Sequence, residues 1–119
     1  MERENLDKKV DLAFLAAFYG GMLTEHQRRI LSLHCEEDLS LGEIAEEVGI
    51  SRQAAHETLA RAAGRLTEME EKLGVASRFR RIETGLEEAL SSLREKRYGE
   101  AERILVELIS IEQEEDHGI

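Results

Sequence analysis

The sequence predicts an all-α protein built around a central helix-turn-helix, with further helices on either side. Three observations predict it. No proline occurs in the 119 residues and the nine glycines are unevenly placed, whereas sandwiches and barrels of short strands need turn residues roughly every ten positions. Apolar residues recur at the three-and-four spacing of a helix face almost from end to end. Capping patterns sit where those stripes begin, and glycines sit where several of them end.

The first helix is expected from about Asn5 to Tyr19. It carries Leu6, Val10, Ala13, Phe14, Ala17 and Phe18 on one stripe and adds Leu12 and Leu15 on other faces. A helix apolar on most of its surface needs cover on most of its surface, which suggests a dimer. Gly20 and Gly21 then break it. Thr24-Glu25-His26-Gln27 reads as a capping box, with a hydroxyl at the cap and an amide three residues on. Ile30, Leu31 and Leu33 are the clear apolar positions of the second helix, and His34 interrupts the stripe.

Ser40-Leu41-Gly42-Glu43 is a second capping box, opening a short helix from Leu41 to Val48 that Gly49 stops. Ile50 is an apolar plug, and Ser51 caps a longer helix from Arg52 to Leu73, with Ala55, Leu59, Ala62, Leu66, Met69 and Leu73 at helical spacing. Gly74 ends it. Beyond it, Leu86, Ala89 or Leu90, and Leu93 form one stripe, and Ala101, Ile104, Leu105, Leu108 and Ile109 form the next. Tyr98-Gly99 lies between them, so a helical hairpin is expected with its turn there. The acidic end, from Glu112, is expected to fray. Two regions follow: residues 1–74, the helix-turn-helix with its N-terminal helix, and residues 75–119, the hairpin.

Charge narrows the function. There are 16 basic and 26 acidic residues, a net of −10, which argues against a nonspecific nucleic-acid coat. The longest apolar run, Leu12 to Tyr19, is eight residues, short of the roughly 20 that a membrane span needs. The start Met-Glu-Arg-Glu-Asn is not a secretory signal, and the single Cys35 has no internal disulfide partner. A cytoplasmic protein with no membrane contact is expected.

The block from Leu39 to Leu66 carries the most information. Ala45 is small enough for two helices to approach closely, Gly49 supplies a left-handed turn residue, Ile50 pins the turn and Ser51 satisfies open amides. Leu59 completes the packing. The outward face of the second helix is expected to present Arg52, Gln53, His56, Glu57, Ala60 and Arg61, with Arg65 one turn further. Arg suits guanine, Gln adenine and Glu cytosine, and the first turns of such a helix are what enters the major groove. Ser51 to Arg65 holds three basic residues and one acidic one, although Thr24 to Leu73 as a whole holds 6 basic and 11 acidic residues. Binding by one copy is therefore expected to be weak, or helped by dimerisation or a partner.

Tyr19-Gly20-Gly21-Met22-Leu23-Thr24-Glu25-His26-Gln27, then Glu37-Asp38-Leu39-Ser40-Leu41-Gly42-Glu43-Ile44-Ala45-Glu46-Glu47 and Ile50-Ser51-Arg52-Gln53-Ala54-Ala55, resemble the YlxM family. These are small bacterial proteins with a helix-turn-helix like that of sigma-factor region 4, within the winged-helix-like DNA-binding superfamily. Their genes typically sit beside that of the signal recognition particle GTPase. The resemblance covers about residues 5 to 74. It implies a regulatory or accessory role near that pathway. The nucleic-acid partner is either duplex DNA or the particle's RNA, read by Ser51, Arg52, Gln53, His56, Glu57, Arg61 and Arg65. The alternative is a protein-interaction adaptor that binds the particle or its GTPase with little or no DNA contact.

Other chemistry is poorly supported. His26, His34, Cys35 and His56 show no Cys-x-x-Cys or His-Glu-x-x-His spacing, so no metal and no cofactor is expected. Cys35 reads as a small core residue. The Glu pairs lie on helix faces without a cleft to bring acid and base together, so no enzyme is expected. Arg78, Arg80 and Arg81 could touch phosphates, but pairing with Glu83 and Glu87 is the preferred reading. Leu105, Leu108 and Ile109 on an acidic helix suit burial against a second subunit.

Overall fold

Helix α1 spans Glu2–Tyr19 and does not simply break at the two glycines: a 3-10 turn, Gly20–Met22, continues it, closed by the Leu23 amide donating to the Gly20 carbonyl at 3.1 Å. A computed structural model describes the backbone of residues 2–117 and the side chains of residue 9 and residues 11–111. Leu6 and Val10 therefore lie outside the described side chains. Helices α2 (Glu25–Cys35), α3 (Leu41–Val48), α4 (Arg52–Leu73), α5 (Val75–Arg94) and α6 (Tyr98–His117) follow, with no strand among the described residues. The chain divides into one unit from Met1 to Ala76 and another from Ser77 to Ile119.

Both capping boxes form. The Gln27 amide donates to the Thr24 hydroxyl at 3.1 Å while the Thr24 amide donates to Gln27 Oε1 at 3.0 Å. The same reciprocal pair joins Ser40 and Glu43, and the Ser40 amide, with the Ser40 hydroxyl second, holds the Glu43 carboxyl below the usual carboxylate range. Each such cap is worth about 1 kcal/mol of helix stability. α2 buries Ile30 and Leu31, and its inner stripe continues through Cys35 rather than His34. Lys9 of α1 pairs with Asp38 in the link between α2 and α3, which draws the Asp38 carboxyl down.

Two apolar clusters hold the first unit. Tyr19, Leu23, Leu31, Ala62, Leu66, Met69 and Ala76 form one, against which the described apolar residues of α1, Leu12 to Phe18 save Ala13 and Ala17, are partly buried. Ile30, Ile44, Ala45 and Ala55 form the other. Leu59 touches both, so α4 is the shared wall.

A polar knot fastens the end of this unit. The Tyr19 hydroxyl donates to Glu70 Oε1 at 2.6 Å and accepts from the Val75 amide at 3.1 Å, while the Ala76 amide donates to the same carboxylate oxygen at 3.1 Å. Burial first, and then the Glu70 carboxylate, push the Tyr19 hydroxyl above its ordinary pKa of 10.0. α5 thus begins on amides already accepted by side chains, Val75 by Tyr19, 56 residues away in sequence, and Ala76 by Glu70.

In the second unit the turn is not at Tyr98-Gly99. Those residues open α6, and the reversal runs through residues 95–97. Lys96 takes the left-handed conformation, φ 63°. Its amide donates to the Leu93 carbonyl at 3.0 Å and the Arg97 amide to the Ser92 carbonyl at 2.8 Å, the bond pair of a Schellman cap. The stripes differ from expectation too: the buried residues are Gly85, Ala89 and Ser92 on α5 and Ala101 and Ile104 on α6, while Leu86, Leu90 and Leu93 are exposed. Small residues let the two helices come close: a Cβ on Gly85 would stand 2.6 Å from Leu108 Cδ2. α6 stays helical to His117, further than fraying from Glu112 allows.

Candidate nucleic-acid interface

α3 and α4 meet at a turn of three residues. Gly49 holds φ 79° and ψ 37°, a left-handed conformation that costs glycine nothing. The Gly49 and Ile50 amides both donate to the Ala45 carbonyl, at 2.9 and 3.0 Å. Ile50 is half-buried against the Ile30–Ile44 cluster. Ser51 then sits extended, and its hydroxyl accepts from the Ala54 amide at 3.0 Å. Ala45 is 7% exposed and Ala55 fully buried, so two alanines make the close crossing between the helices. These contacts hold α4 at a fixed angle to α3 with its first turn uncovered.

On α4 the inner line runs through Ala55, Leu59, Ala62 and Leu66. Ser51, Arg52, Gln53, His56, Glu57, Ala60, Arg61 and Arg65 are all exposed. They do not form one narrow stripe. At about 100° per residue, Gln53, Glu57 and Ala60 lie along the outward centre line, Arg52 and His56 along one flank, and Arg61 and Arg65 along the other. The Gln53 amide donates to Glu57 Oε1 at 3.2 Å, so the two central polar groups are already oriented toward each other. Arg52, Gln53 and His56 border a shallow hollow of about 500 Å³ with Leu41 of α3.

Gly64, which costs a helix interior about 1 kcal/mol against Ala, lies on the same helix. It is exposed, nothing lies within 4 Å of a Cβ built on it, and it continues the outward line below Ala60. Two adjacent turns of that line therefore carry almost no side chain. This lets the backbone itself approach a neighbouring surface. Arg61 and Arg65 flank it on one side.

Elsewhere the chemistry is spare. Among the described residues no three His, Cys, Asp or Glu gather as a metal site, and no helix is long and apolar enough to cross a membrane. Cys35 is half-buried, and burial raises its thiol pKa, which keeps it a poor nucleophile. His34 is half-buried with Nδ1 lacking a hydrogen-bond partner, and burial, with Lys9 nearby, lowers its pKa. Arg80 and Arg81 line a hollow of their own unit together with Thr84, Glu88, Arg103 and Glu107.

Comparison with known proteins agrees with the geometry. The profile of the UPF0122 family, described as "Putative helix-turn-helix protein, YlxM / p13 like", matches residues 6–105. A UPF0122 protein of Desulforamulus reducens is 48% identical over 84 residues, 71% of this chain and 72% of the relative. One from Halalkalibacterium halodurans is 46% identical over 74 residues, 62% of this chain and 68% of the relative. One from Acetivibrio thermocellus is also 46% identical over 74 residues, 62% of this chain and 63% of the relative.

Proposed function

The chain belongs to the UPF0122 family of YlxM/p13-like helix-turn-helix proteins, and from that premise we propose that it is a nucleic-acid-binding regulatory or accessory protein of the signal recognition particle pathway. The observation that carries the reading is the outer surface of α4: Arg52, Arg61 and Arg65 exposed on two flanks of a line whose lower half is Ala60 and Gly64. Ser51, Gln53, His56 and Glu57 complete the set of contact residues. Its partners are duplex DNA or the particle's RNA, and a second copy of the chain. It acts by binding, not by catalysis, and in the cytoplasm. The place in that pathway follows from the resemblance to YlxM proteins.

Magnitude limits the reading. Arg61 and Arg65 neutralising about two phosphates give a salt slope near −1.8 for one copy. The surrounding segment Thr24–Leu73 is net −5, from 6 basic and 11 acidic residues, and it opposes approach to a polyanion. One copy thus binds weakly, and two copies, with twice as many phosphate contacts, bind usefully. The same net charge favours the second reading, an adaptor that docks on the particle's protein components and scarcely touches nucleic acid.

Fluorescence anisotropy with two probes separates the readings. One probe is duplex DNA from upstream of the protein's own gene, the other the signal recognition particle RNA. Salt-sensitive binding to one probe, lost in the Arg52→Ala/Arg61→Ala variant, supports the regulator and identifies its nucleic acid. No binding to either probe at low salt, together with binding to the purified particle GTPase, selects the adaptor.

A further inference from the structure

The hairpin of α5 and α6 has a two-faced design. Leu108, half-buried, meets Gly85, and in the same antiparallel register buried Ala89 falls opposite buried Ile104 and buried Ser92 opposite buried Ala101. Gly85, Ala89 and Ser92 are each followed at once by an exposed leucine: Leu86, Leu90 and Leu93 are 51%, 47% and 44% exposed. On α6 the residues after Ile104 and Leu108 are Leu105 and Ile109, 39% and 59% exposed. One residue is a rotation of about 100°. The same rotation on two antiparallel helices carries both stripes to the same side of the hairpin. The residues one position before the buried ones, Thr84, Glu88, Arg103 and Glu107, share a single hollow on the other side. One face is polar and the other is a continuous apolar strip.

We propose that this apolar face is the docking surface for a second copy of the chain, the two hairpins closing into a four-helix bundle. Three observations choose that occupant. First, the hairpin's own interface is built from Gly, Ala and Ser with one Ile and Leu108, a core too thin to hold two helices together unaided. Second, the five half-exposed residues present on the order of 400 Å² of apolar surface, the apolar half of the ~800 Å² that one partner brings to a standard interface. Third, the surface is self-complementary in charge. Leu86, Leu90 and Leu93 follow the four-then-three spacing of a coiled-coil seam, centred on Leu90. An antiparallel pairing about that centre brings Glu87 of one copy beside Arg94 of the other. An acid before Leu90 thus meets a base after it, once on each side of the two-fold axis.

The surface deepens the pairing of copies proposed above and is independent of the nucleic-acid reading. No nucleic acid enters its test, so the two ideas fail separately. The test is sedimentation equilibrium of the full chain across a concentration series. The wild-type chain is expected at twice 13.5 kDa. Leu90→Lys places two like charges on the two-fold axis and is expected to raise the dimer dissociation constant at least about thirtyfold, with helicity by circular dichroism unchanged. Leu90→Cys in a Cys35→Ser background is expected to form a disulfide-linked dimer on oxidation, while Glu88→Cys on the polar face in the same background does not. A monomeric wild-type chain overturns the proposal, as does a dimer that Leu90→Lys leaves intact. Should Leu90→Lys unfold the chain, the cysteine pair decides: crosslinking at both positions or at neither overturns it.

Discussion

Replacing Tyr19 with Phe removes one oxygen from the knot at the end of α4 and leaves the ring where it is. The residue is 3% exposed, so the burial of its aromatic body is kept. Two bonds are lost: the one donated to Glu70 Oε1 at 2.6 Å and the one accepted from the Val75 amide at 3.1 Å. A bond to a charged group contributes about 1.5–3 kcal/mol and a neutral one about 0.5–1.5. Both are only part-buried, so water recovers some of each, and the lower ends of the ranges apply. The expected loss is about 2 kcal/mol, or about 8 °C in Tm at roughly 4 °C per kcal/mol for a chain of this size. Urea unfolding followed by far-ultraviolet circular dichroism measures it. The Glu70→Gln variant and the double variant complete a cycle with an expected coupling of about 1 kcal/mol. A loss below about 0.5 kcal/mol, the scale of an ordinary surface substitution, would refute the view that this knot anchors the start of α5.

Three further outcomes follow from the same reasoning. Gly49→Ala meets no neighbouring atom within 4 Å but must keep φ near 79°; it is expected to cost about 1–2 kcal/mol by conformation alone, read as a shift in urea midpoint. Lys96→Gly relieves the same conformational cost at φ 63° and is expected to stabilise the chain by about 0.5–1 kcal/mol, opposite in sign to glycine inside a helix. His34 has a folded pKa below its ordinary 6.5, so the unfolded chain takes up its proton first. Its contribution to stability is complete above pH 6.5 and is lost as pH falls through the folded value. Urea midpoints on either side of that pH are expected to fall further for the wild type than for His34→Gln.

Helix ends in the first unit are legible because their signals are local. Thr24 with Gln27, Ser40 with Glu43, Ser51, Gly49 and Gly74 each fix a boundary through groups within three or four residues. The hairpin turn was misplaced for a local reason as well: a lysine occupies the left-handed position, and the nearby Gly99 sits inside α6. The hairpin interface was misread because spacing identifies a stripe but not which of two adjacent stripes faces the neighbour. Leucines suggested the inside, while close packing selected Gly85 and Ala89. The Tyr19–Glu70 knot joins residues 51 apart and has no periodic trace. At the site, the exposure of Arg52, Gln53, His56, Glu57, Arg61 and Arg65 follows from helical phase once Ala55, Leu59 and Ala62 are placed inside. The open line through Ala60 and Gly64 is the part that emerged only with the fold.

The central claim is that the outer face of α4 holds nucleic acid, and the salt dependence of binding tests it most directly. Affinity for the bound probe is measured from low to moderate salt for the wild type, Arg52→Ala, Arg61→Ala and Arg65→Ala. The account expects removal of a phosphate-contacting Arg61 or Arg65 to make the slope of log affinity against log salt shallower by about 1. It expects Arg52→Ala to weaken binding by about 1–3 kcal/mol and to relax the choice of sequence. Affinities and slopes that are the same in all four proteins would contradict it and would place any nucleic-acid contact elsewhere on the chain.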